Sequence, residues 1–133
     1  FEDYPYRHST LETAWKNIVE AGVEQFVSLQ KADAFTVHER YVDYSVHLLH
    51  VDLSNTGETL CRIIEAWDKK LTVGGLLCFE GGSEERDQVP WMTEHHAAPI
   101  RPELERNPLI AAKYVFGTYA QFPSLTTLLK KRH

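Results

Sequence analysis

At 133 residues, with 43% hydrophobic and 25% charged side chains, the chain has the composition of a single globular domain, long enough to pack a core but short for a complete doubly wound enzyme domain. A formal charge of −5 excludes the broad basic footprint of a nucleic-acid binder, since Lys130-Lys131-Arg132 makes only a local basic end. No window of about eighteen apolar residues offers a membrane span, and Cys61 and Cys78 form no Cys-x-x-Cys pair, which fits free thiols in a reducing, cytoplasmic setting.

Ser9-Thr10-Leu11-Glu12 reads as a capping box, and Leu11, Ala14, Trp15, Ile18 and Val19 follow helical spacing up to a left-handed stop at Gly22, which predicts a helix over 10–21. Gln25-Phe26-Val27-Ser28-Leu29-Gln30 alternates like a strand, and 35–44 reads as a short helical turn and loop. Val46–Val51 is an apolar run broken by His47 and His50, the pattern of a central parallel strand covered on both faces. Asn55, with Glu58 three residues later, caps a predicted helix whose Leu60, Ile63, Ile64, Trp67 and Leu71 face one way and which Gly74-Gly75 ends. The run 76–79 returns through the sheet and completes a right-handed βαβ unit.

Beyond Glu80 the chain turns polar at 81–87, and Pro90, Pro99, Pro102 and Pro108 punctuate it. Residues 81–108 therefore read as a lid or insertion with little regular structure beyond a short helix after Pro102. The β-rich segments 113–121 and 124–130 are joined only by Phe122-Pro123. So short a joint forbids a parallel crossover and predicts an antiparallel hairpin at the sheet edge.

In an open α/β sheet ligands collect beyond the carboxyl ends of the strands, and both inner strands end on a carboxylate, Asp52 and Glu80, which places the two in one crevice. His95 and His96 beside Glu94 invite a metal reading, but adjacent side chains of an extended loop point opposite ways, so surface histidines are the expectation. Glu84-Glu85-Arg86-Asp87 reads as a solvated loop, and Trp91-Met92 with Tyr114, Phe116, Tyr119 and Phe122 as packing. Serine-hydrolase elbow, P-loop and paired-cysteine zinc motifs are absent from the sequence.

The segment His50-Val51-Asp52-Leu53-Ser54-Asn55, the helix carrying Trp67, and Leu71-Thr72-Val73-Gly74-Gly75-Leu76-Leu77-Cys78-Phe79 together resemble the C-terminal half of class I S-adenosylmethionine-dependent methyltransferases, in particular small-molecule and sugar O-methyltransferases of the macrocin O-methyltransferase type. Lys31-Ala32-Asp33-Ala34-Phe35 resembles the Gly-Asp-Ala turn of that family, and the likeness runs from about residue 9 to 130. It implies a Rossmann-like α/β sheet, mostly parallel with a C-terminal antiparallel hairpin, and S-adenosylmethionine as cofactor for O-methylation of a small molecule.

Carried over by position, Asp33 would accept from the adenine amino group beside an apolar slot at Ala34 and Phe35; the alternative for Asp33 is a helix cap. Asp52 would stand at the methyl-transfer crevice, as base or as ligand of Mg²⁺, against a purely structural cap on the following helix. His50 is a proton acceptor near the site or a hydrogen-bonded core histidine. Glu80 is the other candidate metal ligand, although Gly81-Gly82 stands where metal-using members carry a further acid.

Nothing in the sequence matches the family's glycine-rich first turn or the acid ending its second strand, so residues 1–133 are expected to be one domain lacking its first strands, which would lie before Phe1. Glu2 and Asp3 lie close to where the ribose carboxylate is expected. Strand 46–51 would then present an unpaired edge, or one covered by the missing segment or by a homo-oligomeric partner. The competing function is a non-catalytic, methyltransferase-like interaction or scaffold domain that has lost cofactor binding.

Overall fold

The structure is a computed structural model that describes residues 10–119 and 122–132; Ser9 of the expected capping box, Glu2 and Asp3 lie outside them. The chain divides after Asp33 into two compact units.

In the first unit α1 spans Thr10–Glu20, as the 3.6-residue spacing of Leu11, Trp15, Ile18 and Val19 requires. Its end is a Schellman turn: Gly22 adopts φ +68°, its N–H reaches Val19 O at 3.0 Å, and Val23 N–H reaches Ile18 O at 3.2 Å. The strand expected over 25–30 does not form. Glu24–Phe26 is a single 3₁₀ turn, and the residues after it take part in no ladder, because alternation makes a strand only where a neighbour supplies hydrogen bonds.

The second unit opens with a 3₁₀ turn at Val37–Arg40 and is then built on β1 (Val46–Val51), α2 (Gly57–Trp67) and β2 (Leu71–Glu80). It continues through α3 (Glu84–Asp87), α4 (Pro90–Glu94), α5 (Arg101–Arg106) and α6 (Pro108–Lys113) to β3 (Tyr114–Tyr119) and β4 (Phe122–Lys130). The cap of α2 is Thr56, not Asn55: Thr56 is extended and its hydroxyl accepts from Thr59 N–H at 3.2 Å. The helix stops at Trp67, and Leu71, expected on its apolar face, already belongs to β2.

Gly74-Gly75 therefore serves a strand rather than a helix end. Val46 pairs with Leu71 but Leu48 with Leu76, so β2 bulges against β1 between those partners. Gly74 takes φ +78° within the bulge, and a Cβ on Gly75 would stand 2.8 Å from Thr72 O.

The sheet order is β1-β2-β4-β3, with β1 and β2 parallel and both pairs involving β4 antiparallel. The fold is thus a mixed α/β sheet with one parallel pair, not the mostly parallel sheet expected. The terminal hairpin forms as its short joint demands, with Tyr119 opposite Phe122. β1 is an edge strand, paired on one side only among the described residues, with the unpaired edge expected of strand 46–51.

Leu60, Ile63, Ile64 and Trp67 of α2 pack on Val51, Leu77, Phe79 and Leu128 of one sheet face, joined by Ile100, Leu104, Ile110 and Tyr114. Each fully buried aliphatic side chain there stabilises the fold by about 1.5–3 kcal/mol. Ile100, Leu104 and Met92 come from the stretch read as an irregular lid. That stretch instead folds into short helices that close the core. The opposite face is different: Leu48, Val115 and Leu129 are 60%, 58% and 47% exposed, so β1 is not covered on both faces.

Candidate functional site

The register that pairs His50 with Cys78 and Val51 with Phe79 brings the carboxyl ends of β1 and β2 side by side. Alternation then puts His50, Cys78 and Glu80 on the less covered face. There His50 Nε2 lies 3.3 Å from Glu80 Oε1, the histidine half-exposed and the glutamate largely shielded. His50 is therefore not a core histidine. Its one hydrogen-bond partner among the described residues is the carboxylate at the end of the next strand.

Asp52 follows directly on β1, is exposed, and enters no hydrogen bond or ion pair among the described residues. Since Thr56 caps α2, Asp52 is not the helix cap. Thr127 pairs with Cys78 across β4 and exchanges a 2.9 Å hydrogen bond with the Tyr119 hydroxyl. His50, Cys78, Thr127 and Tyr119 thus form a polar band above the apolar row of Leu48, Leu129 and Val115. Burial, together with the negative charge of Glu80, pushes the Cys78 thiol up, so it stays protonated and weakly nucleophilic at neutral pH.

The loops that follow β1 and β2 are tightly built. Gly81 N–H donates to Ser124 O, and the Thr126 hydroxyl returns a 2.6 Å hydrogen bond to Gly81 O. The N-terminus of α2 is occupied, because Gly57 N–H donates to Ala98 O at 2.8 Å and a Cβ on Gly57 would meet Pro99 O at 2.5 Å. An anion has no place there. Asn55 Oδ1, by contrast, is buried without a hydrogen-bond partner.

Asp33 ends the first unit and is exposed. In the second unit the Ala34 carbonyl accepts from Trp67 Nε1 at 2.9 Å, and the Arg62 guanidinium stands 3.6 Å over the Phe35 ring. One face of the expected adenine slot is therefore already covered. For the cation, Glu80 is engaged by His50, and no three His, Cys, Asp or Glu side chains converge among the described residues. Glu94, His95 and His96 are exposed and form no such group.

Sequence reasoning missed the role of Asp87. Its carboxylate accepts from Ile100 N–H at 2.8 Å and Arg101 N–H at 2.6 Å and so starts α5. An acid followed by Pro-rich spacing carries no local sign of a partner thirteen residues away.

No protein-family model and no curated protein matches this chain. Among solved structures it is similar to a possible exported protein from Bordetella parapertussis, with a TM-score of 0.59 at 14% identity over 92% of this chain and 50% of that one. The chain thus spans about half the length of that protein, and the likeness supports the α/β fold alone. No helix among the described residues is long and apolar enough to cross a membrane.

Proposed function

We propose that this chain is the part of an S-adenosylmethionine-dependent methyltransferase that activates a hydroxyl of a small molecule such as a sugar or natural product. The observation that carries the reading is the His50–Glu80 pair, held at the carboxyl ends of two parallel strands next to the free carboxylate of Asp52. A half-exposed imidazole anchored by a carboxylate is suited to remove a hydroxyl proton, and Asp52, two residues along the chain, would orient the substrate.

S-adenosylmethionine, when bound, supplies the electrophilic methyl group. Ala34 and Phe35 would lie beside the adenine ring; Arg62 on the Phe35 face would have to shift or leave the adenine the other side. Mg²⁺ fits less well, because no third His, Cys, Asp or Glu joins Asp52 and Glu80 among the described residues.

Calorimetry with S-adenosylmethionine, on this chain and on any longer natural form, tests the reading. Binding by the longer form supports it and the absence of binding overturns it. The exposed row of Leu48, Val115 and Leu129 favours a second reading, a non-catalytic interaction domain, which gains if a protein partner is captured and no cofactor binds.

A further inference from the structure

We propose that Glu80 is a positioning residue that fixes the tautomer of His50, so that neutral His50 carries its proton on Nε2 and accepts at Nδ1. This rests on the proposed role of His50 as base but names the atom and what sets it. An ionised carboxylate only accepts hydrogen bonds, so the ring nitrogen 3.3 Å from Glu80 Oε1 has to be the one bearing hydrogen. Nδ1, which has no hydrogen-bond partner among the described residues, keeps its lone pair and is directed away from Glu80 by the geometry of the ring.

The pair is asymmetric in a way that suits this task. The Glu80 side chain is 25% exposed and that of His50 53%; the anchor sits against the sheet while the ring it holds reaches solvent. Glu80 is fixed in turn, because it ends β2 opposite Leu125 and the next residue, Gly81, is pinned from both sides by Ser124 and Thr126. Were a methyl sulfonium donor bound, Nδ1 would take the hydroxyl proton as the oxygen takes the methyl group and the sulfur leaves as a neutral thioether. The imidazolium would then release its proton to water, with Glu80 holding Nε2–H in place.

The two imidazole nitrogens have separate ¹⁵N shifts, so long-range ¹H–¹⁵N correlation spectra of the unliganded chain above the pH at which the ring is neutral read the tautomer directly. The expected result is a single Nε2–H form for His50 in the native chain. In E80A the signals should move to the mixture of a free imidazole, and E80Q, whose amide oxygen still accepts, should restore the Nε2–H form. A tautomer mixture or an Nδ1–H form in the native chain overturns the proposal. So does loss of the Nε2–H signature on adding Mg²⁺, which would show Glu80 drawn to a cation. Should E80A fail to fold, the native spectrum and E80Q decide alone. Because the measurement needs no cofactor, it can succeed where S-adenosylmethionine binding fails, and the reverse.

Discussion

Tyr114 donates its phenolic hydrogen to Asp68 Oδ1 at 2.9 Å, joining the first residue of β3 to the C-cap that follows α2. The same carboxylate takes Lys113 Nζ at 2.5 Å and lies 3.4 Å from Lys130 Nζ, whose side chain is 5% exposed. Removing the phenol in Tyr114→Phe should cost about 1.5–3 kcal/mol, the net worth of one hydrogen bond to a charged group, since both lysines stay on the carboxylate. Asp68→Ala should cost about 3–5 kcal/mol, because it leaves the buried Lys130 cation without its carboxylate, held only by two main-chain carbonyls and the Tyr44 ring among the described residues. Urea unfolding measures both, and a Tyr114→Phe chain as stable as the native one would show that the hydroxyl contributes nothing.

The pH dependence follows from the same group. Burial pushes the Asp68 carboxyl up, but the hydrogen bonds from Lys113 and Tyr114 and the charge of Lys130 outweigh it and hold the carboxyl below the usual range. The folded state thus binds this proton less readily than the unfolded state. Its contribution is present above the ordinary carboxylate range and lost as pH falls through the lowered value. Asp68→Asn should flatten the acid limb of a stability-against-pH curve. At the alkaline end burial and the Asp68 contact push the Tyr114 phenol up, so stability should also fall above about pH 10, where the unfolded phenol ionises, and Tyr114→Phe should remove that loss.

Cys61 should be a slow nucleophile. Burial, then its hydrogen bond to Glu103 at 3.1 Å, push its thiol up to about 11. Iodoacetamide labelling at pH 8, followed by mass spectrometry, should find Cys61 less reactive than a free cysteine. Glu103→Gln should speed the labelling. Fast labelling of the native chain would contradict the contact.

Gly82 should not tolerate a side chain. It adopts φ +97°, and a Cβ there would press on Thr126 Oγ1 and stand 3.0 Å from Leu104. Gly82→Ala should lose about 1–3 kcal/mol from backbone strain, with overpacking added. Thermal unfolding is the check, and an unchanged Tm would mean that the loop relaxes freely.

Asp52→Asn should separate activity from stability. The side chain is exposed and caps nothing, so stability should stay within about 0.5 kcal/mol, while turnover in the proposed methyl transfer falls. Unfolding without a specific loss of turnover would reverse that assignment.

The sequence shows most clearly what periodicity and short connections encode. The faces of α1 and α2, the strand at 46–51 and the antiparallel hairpin are legible because each is set by residues near one another in the chain. What it hides is set by distant partners. Gln25 to Gln30 alternates as well as any strand yet finds no neighbour, whereas Gly74-Gly75, which locally reads as a helix stop, is a bulge against β1. The proline-rich stretch 81–108 reads as surface loop because its apolar residues are sparse, and only the fold shows that Ile100 and Leu104 fill the core. At the site, the strand-end carboxylates were legible, but the side-chain contact between His50 and Glu80 depends on a parallel register that no single segment specifies.

The antiparallel seam between β2 and β4 shapes how the chain reaches its fold. β1, α2 and β2 are consecutive, and β3 and β4 form a hairpin, so each group can assemble from local contacts. Leu77 meets Leu128 only after the whole intervening segment has been looped out, and the entropy of that closure is lost before the contact is made. Docking of the hairpin onto the βαβ unit is therefore expected to limit the folding rate. Truncating Leu77 or Leu128 should slow refolding, while truncation of Val115, on the outer hairpin strand, should leave it nearly unchanged.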